Sequence, residues 1–188
     1  MALTKVIGSG IGTVTNTFTD TNVPVGSVVQ VVATTVTVGA TTSLNAFNGS
    51  FAEIQSAYRC AITPKSADNF LLLDCQFCFN QHEGNVVFLN QIKFYDVTNS
   101  ADVFVGDATG SRIRSTIAIR NSHSDANDAD LCNMRAYVSA ATTTARTYSP
   151  YFRCEAAGGE FDFGQSESDG STFQWTAPYL FTITEIKG

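Results

Sequence analysis

The chain has 188 residues, a net charge of −6 and only 15% charged residues, against 44% hydrophobic ones. That length suits one domain with a sizeable core, since compact domains commonly contain about 100–200 residues. The acidic net charge argues against non-specific nucleic-acid binding and against a basic membrane-surface patch. No apolar run approaches the roughly 20 residues of a membrane span. The first residues lack the apolar core of a secretory signal.

The N-terminal residues 1–25 differ in composition from the rest of the chain. Residues 7–12 are rich in glycine, residues 13–22 are rich in Thr, Asn and Asp, and Pro24 follows. Such a segment has too little apolar surface to fold on itself. We therefore predict an extended arm over 1–25, ordered against a partner, and a folded domain over 26–188.

The remainder has the composition of β-strands, because its Thr, Val and Phe side chains pack well on a pleated surface. Strands are predicted over 27–38, 57–63, 70–79, 86–97, 103–105, 112–120, 132–138, 148–154 and 180–186. In the clearest of them, one face carries Leu71, Leu73, Cys75, Phe77 and Phe79. Within 112–120, Ile113, Ile117 and Ile119 alternate with Arg112, Arg114 and Arg120. Turn residues at roughly ten-residue intervals predict an all-β, antiparallel sandwich or barrel.

Five cysteines are present, an odd number that does not favour a disulfide framework. Cys75 and Cys78 have the spacing of a metal or redox pair, but residues three apart on a strand point to opposite faces. A zinc site also needs four ligands, and no second pair exists. We predict buried free thiols.

One polar loop, residues 122–130, is rich in oxygen ligands. Calcium takes six to eight oxygen atoms, so a hard cation could bind here, although loops of this kind are more often simply solvated. No metal and no cofactor is assigned to the chain. The candidate ligands would be Asp125, Asn127, Asp128 and Asp130.

Catalytic motifs are missing from the sequence. His82 and His123 stand beside no nucleophile motif, and there is no Gly-x-Ser-x-Gly, no phosphate-binding Gly-Lys-Ser/Thr and no His-Glu-x-x-His. Carboxylate pairs such as Asp162 and Glu167 cannot be given acid and nucleophile roles without geometry. We predict that the protein is not an enzyme.

Two surfaces are candidates for recognition. The arginine face of 112–120 could meet the acidic segments 125–130 and 155–169 of another copy, or it could carry ordinary surface ion pairs. The aromatic residues between 148 and 179 are more typical of a core than of a site, but a long polar segment with embedded aromatic residues often recognises a ligand, and carbohydrate suits such a surface. The candidate carbohydrate contacts are Phe161, Phe163 and Trp175.

The order of several segments resembles the small jelly-roll domains of phage virion proteins, particularly those of marine and freshwater phages. The matching stretches are residues 25–32 (VGSVVQVV), 61–67 (AITPKSA), 70–73 (FLLL), 105–112 (VGDATGSR), 141–148 (ATTTARTY) and 181–188 (FTITEIKG). The opening MALTKV looks like the start of many phage fibre proteins, whose N-terminus docks on the particle.

This resemblance implies a jelly-roll-like β-sandwich, a homotrimer and no catalytic residues. We expect a virion protein, assembled in the host cytoplasm, that acts as a short tail fibre or receptor-binding appendage. Its partners would be other copies of the chain, other tail or capsid proteins and a host-surface glycan, with no nucleic acid and no membrane insertion. Two alternatives are a capsid decoration (cement) protein and a carbohydrate-binding or carbohydrate-active β-sandwich.

Overall fold

The computed structural model describes residues 23–37, 49–81, 87–122, 129–155, 161–166 and 175–188. These residues form strands and one short 3₁₀ turn at Ser56–Tyr58. The strands are β1 (Val28–Val36), β2 (Ala52–Glu53), β3 (Cys60–Ile62), β4 (Phe70–Gln81), β5 (Val87–Asp96), β6 (Ala101–Val103), β7 (Ile117–Ser122), β8 (Asp130–Ser139), β9 (Arg146–Cys154), β10 (Phe161–Phe163) and β11 (Tyr179–Ile186).

The strands form two antiparallel sheets that pack together as a β-sandwich, so the prediction of an all-β antiparallel sandwich is confirmed. In the first sheet the order is β1-β11-β4-β8, and β10 pairs with the end of β4 beyond β11. In the second sheet β9 and β5 are central. The short strands β2 and β3 line the free edge of β9, while β6 and β7 line the free edge of β5.

The core lies between the sheets and is rich in aromatic rings. The alternation predicted for β4 is confirmed, because Leu71, Leu73, Cys75, Phe77 and Phe79 are all buried. Rings from the two sheets meet directly: the Phe79 and Phe152 centroids are 5.5 Å apart, edge to face, and those of Phe94 and Phe181 are 5.5 Å apart, stacked. Edge-to-face and offset stacks are the favoured arrangements of aromatic pairs.

The described fold begins at a turn before β1. Ser27 N–H donates to the Pro24 carbonyl at 3.1 Å, and Gly26 N–H donates to the Lys187 carbonyl at 2.8 Å. Gly26 has a φ of 85° at the third position of this turn, a conformation that a residue without Cβ adopts at little cost. The predicted arm falls almost entirely on residues 1–22, which lie outside the described residues.

A buried carboxylate joins the C-terminal strand to the segment between β3 and β4. Glu185 is fully buried, and its Oε1 accepts from the backbone N–H groups of Lys65 (2.8 Å) and Ser66 (3.3 Å) and from Asn69 Nδ2 (2.7 Å). Its Oε2 accepts from Gln30 Nε2 at 2.5 Å. One side chain therefore fixes β1, β11 and the loop before β4.

The prediction of a strand over 112–120 is wrong in its first half. The strand β7 begins at Ile117, and Ile113 is 48% exposed in the preceding loop. In that loop the Arg114 Nε donates to the Gly106 carbonyl at 2.6 Å, and Arg112 Nη1 donates to the Thr109 carbonyl at 3.4 Å. These local hydrogen bonds hold a loop conformation, so only Arg120 of the three arginines lies on a strand.

No helix in the described part of the chain is long and apolar enough to cross a membrane.

Candidate functional site

An open cleft of about 660 Å³ lies on the outer face of the second sheet. Its floor comes from strand alternation, since Ile92 and Phe94 point into the core and their neighbours on β5 point outward. The cleft is lined by Gly49, Ser50, Phe51, Lys93, Tyr95, Ser100, Asp102, Ile113, Tyr151 and Arg153.

Cross-strand pairing places the main side chains of the cleft. Lys93 of β5 lies opposite Tyr151 of β9, and Tyr95 lies opposite Asp102 of β6. The Tyr95 and Tyr151 rings stack with their centroids 4.2 Å apart. This diagonal pair forms an aromatic surface at the centre of the cleft, because diagonal neighbours on adjacent strands are within reach of long side chains.

Lys93 is held in place from three sides. Its Nζ lies 4.2 Å from the Phe51 ring centroid and 5.4 Å from that of Tyr95, and it forms a salt bridge with Asp102. The lysine side chain is only 9% exposed, and a cation over aromatic faces is stabilised more strongly when desolvated. Lys93 therefore works as a structural cation whose charge is balanced by Asp102.

Arg153 has a different environment. Its Nε donates to the Gly49 carbonyl at 2.9 Å, and its Nη1 donates to Gln91 Oε1. Both acceptors are uncharged, and among the described residues no carboxylate forms a salt bridge with this guanidinium. The cleft therefore contains a positioned positive charge that none of the described carboxylates neutralises.

An ion pair beside the cleft affects Tyr151. Arg59 donates two hydrogen bonds to the Glu53 carboxylate, from Nε at 2.7 Å and from Nη2 at 2.8 Å. These hydrogen bonds lower the pKa of the Glu53 carboxyl. Burial raises the pKa of the Tyr151 phenol, and the nearby Glu53 charge raises it further. Both effects disfavour the phenolate form of Tyr151.

No motif in the sequence pointed to this cleft. The signal that could have found it is the outward half of the β5 and β9 alternation, in which Gln91, Lys93 and Tyr95 face the same side as Tyr151 and Arg153. The apolar residues that alternate along each strand predict the core. The polar residues between them form the surface where a ligand can bind.

Of the three predicted carbohydrate contacts, only Trp175 is exposed to any extent. Phe161 and Phe163 are fully buried, so the prediction that they contact a ligand is wrong. They form β10 with Asp162, and their rings pack against Phe152 with centroid distances of 4.8 and 5.3 Å. Trp175 is partly exposed, its backbone N–H donates to Ser166 Oγ at 3.2 Å, and it is not among the residues that line the cleft.

Most of the predicted cation loop lies outside the described residues. Asp125, Asn127 and Asp128 lie outside the described residues, and Asp130 is the partly buried first residue of β8. Within the part of the chain that the structure describes, no group of three or more His, Cys, Asp or Glu side chains could hold a metal ion.

All five cysteines are free thiols, as predicted, and four of them are buried. Cys75 and Cys78 do lie on opposite faces of β4: Cys75 is in the core, whereas Cys78 is partly exposed on the outer face. Burial raises the pKa of the Cys75 thiol, and it raises that of Cys132 well above its usual range. Reaction of these thiols requires a thiolate, so the core cysteines are inert in the folded protein.

We expect Cys78 to react first when the native protein is treated with an aromatic disulfide reagent. The other four thiols should react only at the rate of unfolding, and denaturant should release all five. Cys78→Ser should remove the early phase and leave the slow phase unchanged. An early phase that persists in Cys78→Ser would contradict the burial of the other cysteines.

No protein-family model matches the chain, and no curated protein matches it either.

Proposed function

We propose that the protein is a non-enzymatic structural component of a phage virion, a short tail fibre or similar receptor-binding appendage. In this proposal residues 1–25 dock on the particle, the sandwich assembles as a homotrimer, and the exposed surface contacts a host glycan.

The order of the strands is the observation that carries the proposal. The chain passes from β1 in the first sheet to β2 and β3 in the second, back to β4, and then to β5, β6 and β7. It returns to the first sheet with β8, crosses to β9 and ends with β11. If β2 and β3 fill one position and β6 and β7 fill another, the sheets read β1-β11-β4-β8 and β3-β9-β5-β7. This order supports a jelly roll of two Greek keys, an architecture that occurs in viral capsid and lectin domains among others.

The outer face of the first sheet supports self-association. We call it the first-sheet face and define it by the outward side chains of β1, β4, β8 and β11. In these four strands the outward charged residues are Asp74 and Arg135, which form a salt bridge with each other. The exposed apolar residues of the face are Val28, Val31, Leu131, Tyr137 and Leu180, each between 42% and 58% exposed.

A second copy of the chain is the occupant that this face suits. The whole chain carries a net charge of −6, so most pairs of surfaces on two copies would repel one another. The first-sheet face is internally neutral, and contact there brings no like charges together. Interface cores are typically depleted of charged residues, which agrees with this composition.

We predict that the purified protein sediments as a trimer and that Leu131→Glu shifts it towards the 20.2 kDa chain. A carboxylate placed in an apolar contact loses hydration without gaining a partner. Phe104→Glu is the matched control, since Phe104 is 56% exposed in the loop that follows β6 on the other sheet. Labelling of Cys78 should slow as the protein concentration rises, because this residue lies on the same face. A monomer at every concentration, or equal effects of the two substitutions, would contradict the proposed assembly.

The position in the virion is tested by the copy number of the chain in purified particles, measured by quantitative mass spectrometry against the major capsid protein. A low ratio that matches the symmetry of a tail supports the appendage. A ratio near parity replaces it with the capsid decoration protein, and absence from particles overturns both.

A further inference from the structure

We propose that the cleft on the second sheet binds a saccharide unit that carries one carboxylate. The biological role of this site, as the receptor contact of an appendage, rests on the proposed function. The binding itself rests on the residues of the cleft, so the two can fail separately.

The charge of the cleft favours a single anionic group. Lys93 and Asp102 neutralise each other, and the remaining charge among the lining residues is that of Arg153. A guanidinium has more N–H donors than the two contacts to Gly49 and Gln91 use. Its planar fork suits a carboxylate that binds through both oxygens.

The contacts to Gly49 and Gln91 also position this group before a ligand arrives. Both acceptors are fixed: Gly49 N–H donates to the Cys154 carbonyl at 3.3 Å, and the Gln91 side chain is almost fully buried. A cation that is already oriented loses less conformational freedom on binding. Arg153 is therefore the residue that we assign to the carboxylate.

The aromatic residues favour a sugar ring over a simple carboxylic acid. Tyr95 and Tyr151 form a stacked pair, and Phe51 stands over Lys93 across the cleft. A pyranose presents an apolar C–H face to such rings and hydroxyl groups at its edge. Tyrosine supplies both a rigid apolar surface and a hydroxyl that can donate or accept a hydrogen bond.

The size and charge of the surroundings disfavour nucleic acid and other polyanions. The cleft volume of about 660 Å³ falls within the range of about 300–1,000 Å³ that is common for small-ligand sites. A chain of net charge −6 repels a polyanion, and one unneutralised arginine offers no continuous basic track. A singly charged sugar meets the local positive charge without extended repulsion.

The test is titration calorimetry on the full-length protein, with sialyllactose, glucuronosyl and galacturonosyl oligosaccharides as probes. Lactose is the matched neutral probe for sialyllactose, and adenosine monophosphate is an anion with an aromatic base that has neither a carboxylate nor a pyranose ring. We expect at least one carboxylated sugar to bind about tenfold or more tightly than its neutral counterpart, since hydrogen bonds to charged groups contribute about 1.5–3 kcal/mol each.

Variants then assign the contacts. Arg153→Gln should weaken binding of the carboxylated sugar by about tenfold or more and leave binding of the neutral sugar unchanged. Tyr95→Ala should weaken both. Lys65→Gln, at an exposed position in the segment between β3 and β4, is the matched control for the loss of one positive charge and should change neither. An amide spectrum of each variant by NMR shows that the sandwich is intact.

Three results overturn the inference: no carboxylated sugar binds, adenosine monophosphate binds as tightly as the best sugar, or Arg153→Gln binds like Lys65→Gln. If the sugar binds but the chain is absent from virions, the cleft is retained and the proposed function is lost. If the chain is a low-copy virion component that binds no carboxylated sugar, the proposed function is retained and the inference about the cleft is lost.

Discussion

Replacing Phe79 with alanine is expected to lower the free energy of unfolding by about 3–5 kcal/mol, as removal of large buried aromatic side chains generally does. Phe79 is fully buried and contacts rings from both sheets. Its centroid lies 5.5 Å from Phe152 of the second sheet and 6.2 Å from Phe163 of β10. The alanine variant would leave a cavity between two sheets whose spacing many other side chains fix, so the site can collapse only partly.

Urea unfolding followed through Trp175, the single tryptophan of the chain, measures this loss. Phe104→Ala is the matched control, and a change of less than about 0.5 kcal/mol is expected for an exposed position of this kind. If Phe79→Ala does not fold, Phe79→Leu and Phe152→Leu can be combined in a double-mutant cycle, in which residues in contact typically couple by about 0.5–3 kcal/mol. Additive effects of the two leucine substitutions would show that the rings do not meet.

The sequence predicted the fold wherever one strong period ran through a whole strand. In β4 the inward residues are all apolar, so alternation alone identified that strand and its buried face. The bounds differ by one or two residues, because a strand ends where its hydrogen-bonding partner ends. The sequence does not show that partner directly.

The failures have two physical causes. Residues 112–116 alternate like a strand, but carbonyl groups at Gly106 and Thr109 offer their arginines local hydrogen bonds and the segment stays a loop. Phe161 and Phe163 lie between polar stretches and were named as candidate carbohydrate contacts. They are buried because β10 pairs with the edge of β4 beyond the end of β11 and so becomes part of the first sheet. No local pattern in the sequence reveals this long-range pairing.

The candidate site was missed for a related reason. The cleft combines residues from the segment before β2, from β5, β6 and β9, and from the loop before β7, and none of these contributions forms a motif by itself. Pairing of Lys93 with Tyr151 and of Tyr95 with Asp102 follows from register. A single sequence therefore suggests which residues face outward, while their grouping into a site depends on the order of the strands.

The same dependence on long-range pairing applies to the buried Glu185. We expect Glu185→Ala to lower the free energy of unfolding by about 3–5 kcal/mol, because it leaves several donors without an acceptor and each unsatisfied buried donor costs about 1–3 kcal/mol. The donors left behind would be Gln30 Nε2, the backbone N–H groups of Lys65 and Ser66, and Asn69 Nδ2.

Glu185→Gln separates the shape of the side chain from its role as an acceptor on both oxygens. The amide oxygen can still accept from the loop, but the NH₂ group would face the Gln30 Nε2 donor, so we expect a smaller loss of stability. Amide hydrogen exchange gives the local readout: Lys65 and Ser66 should exchange faster in both variants. The Asn99 amide, which donates to Asp96 Oδ1 in a separate turn, should be accelerated only as far as global stability falls. Equal acceleration at all three amides in Glu185→Gln would mean that Glu185 supports the fold as a whole and does not specifically hold the loop before β4.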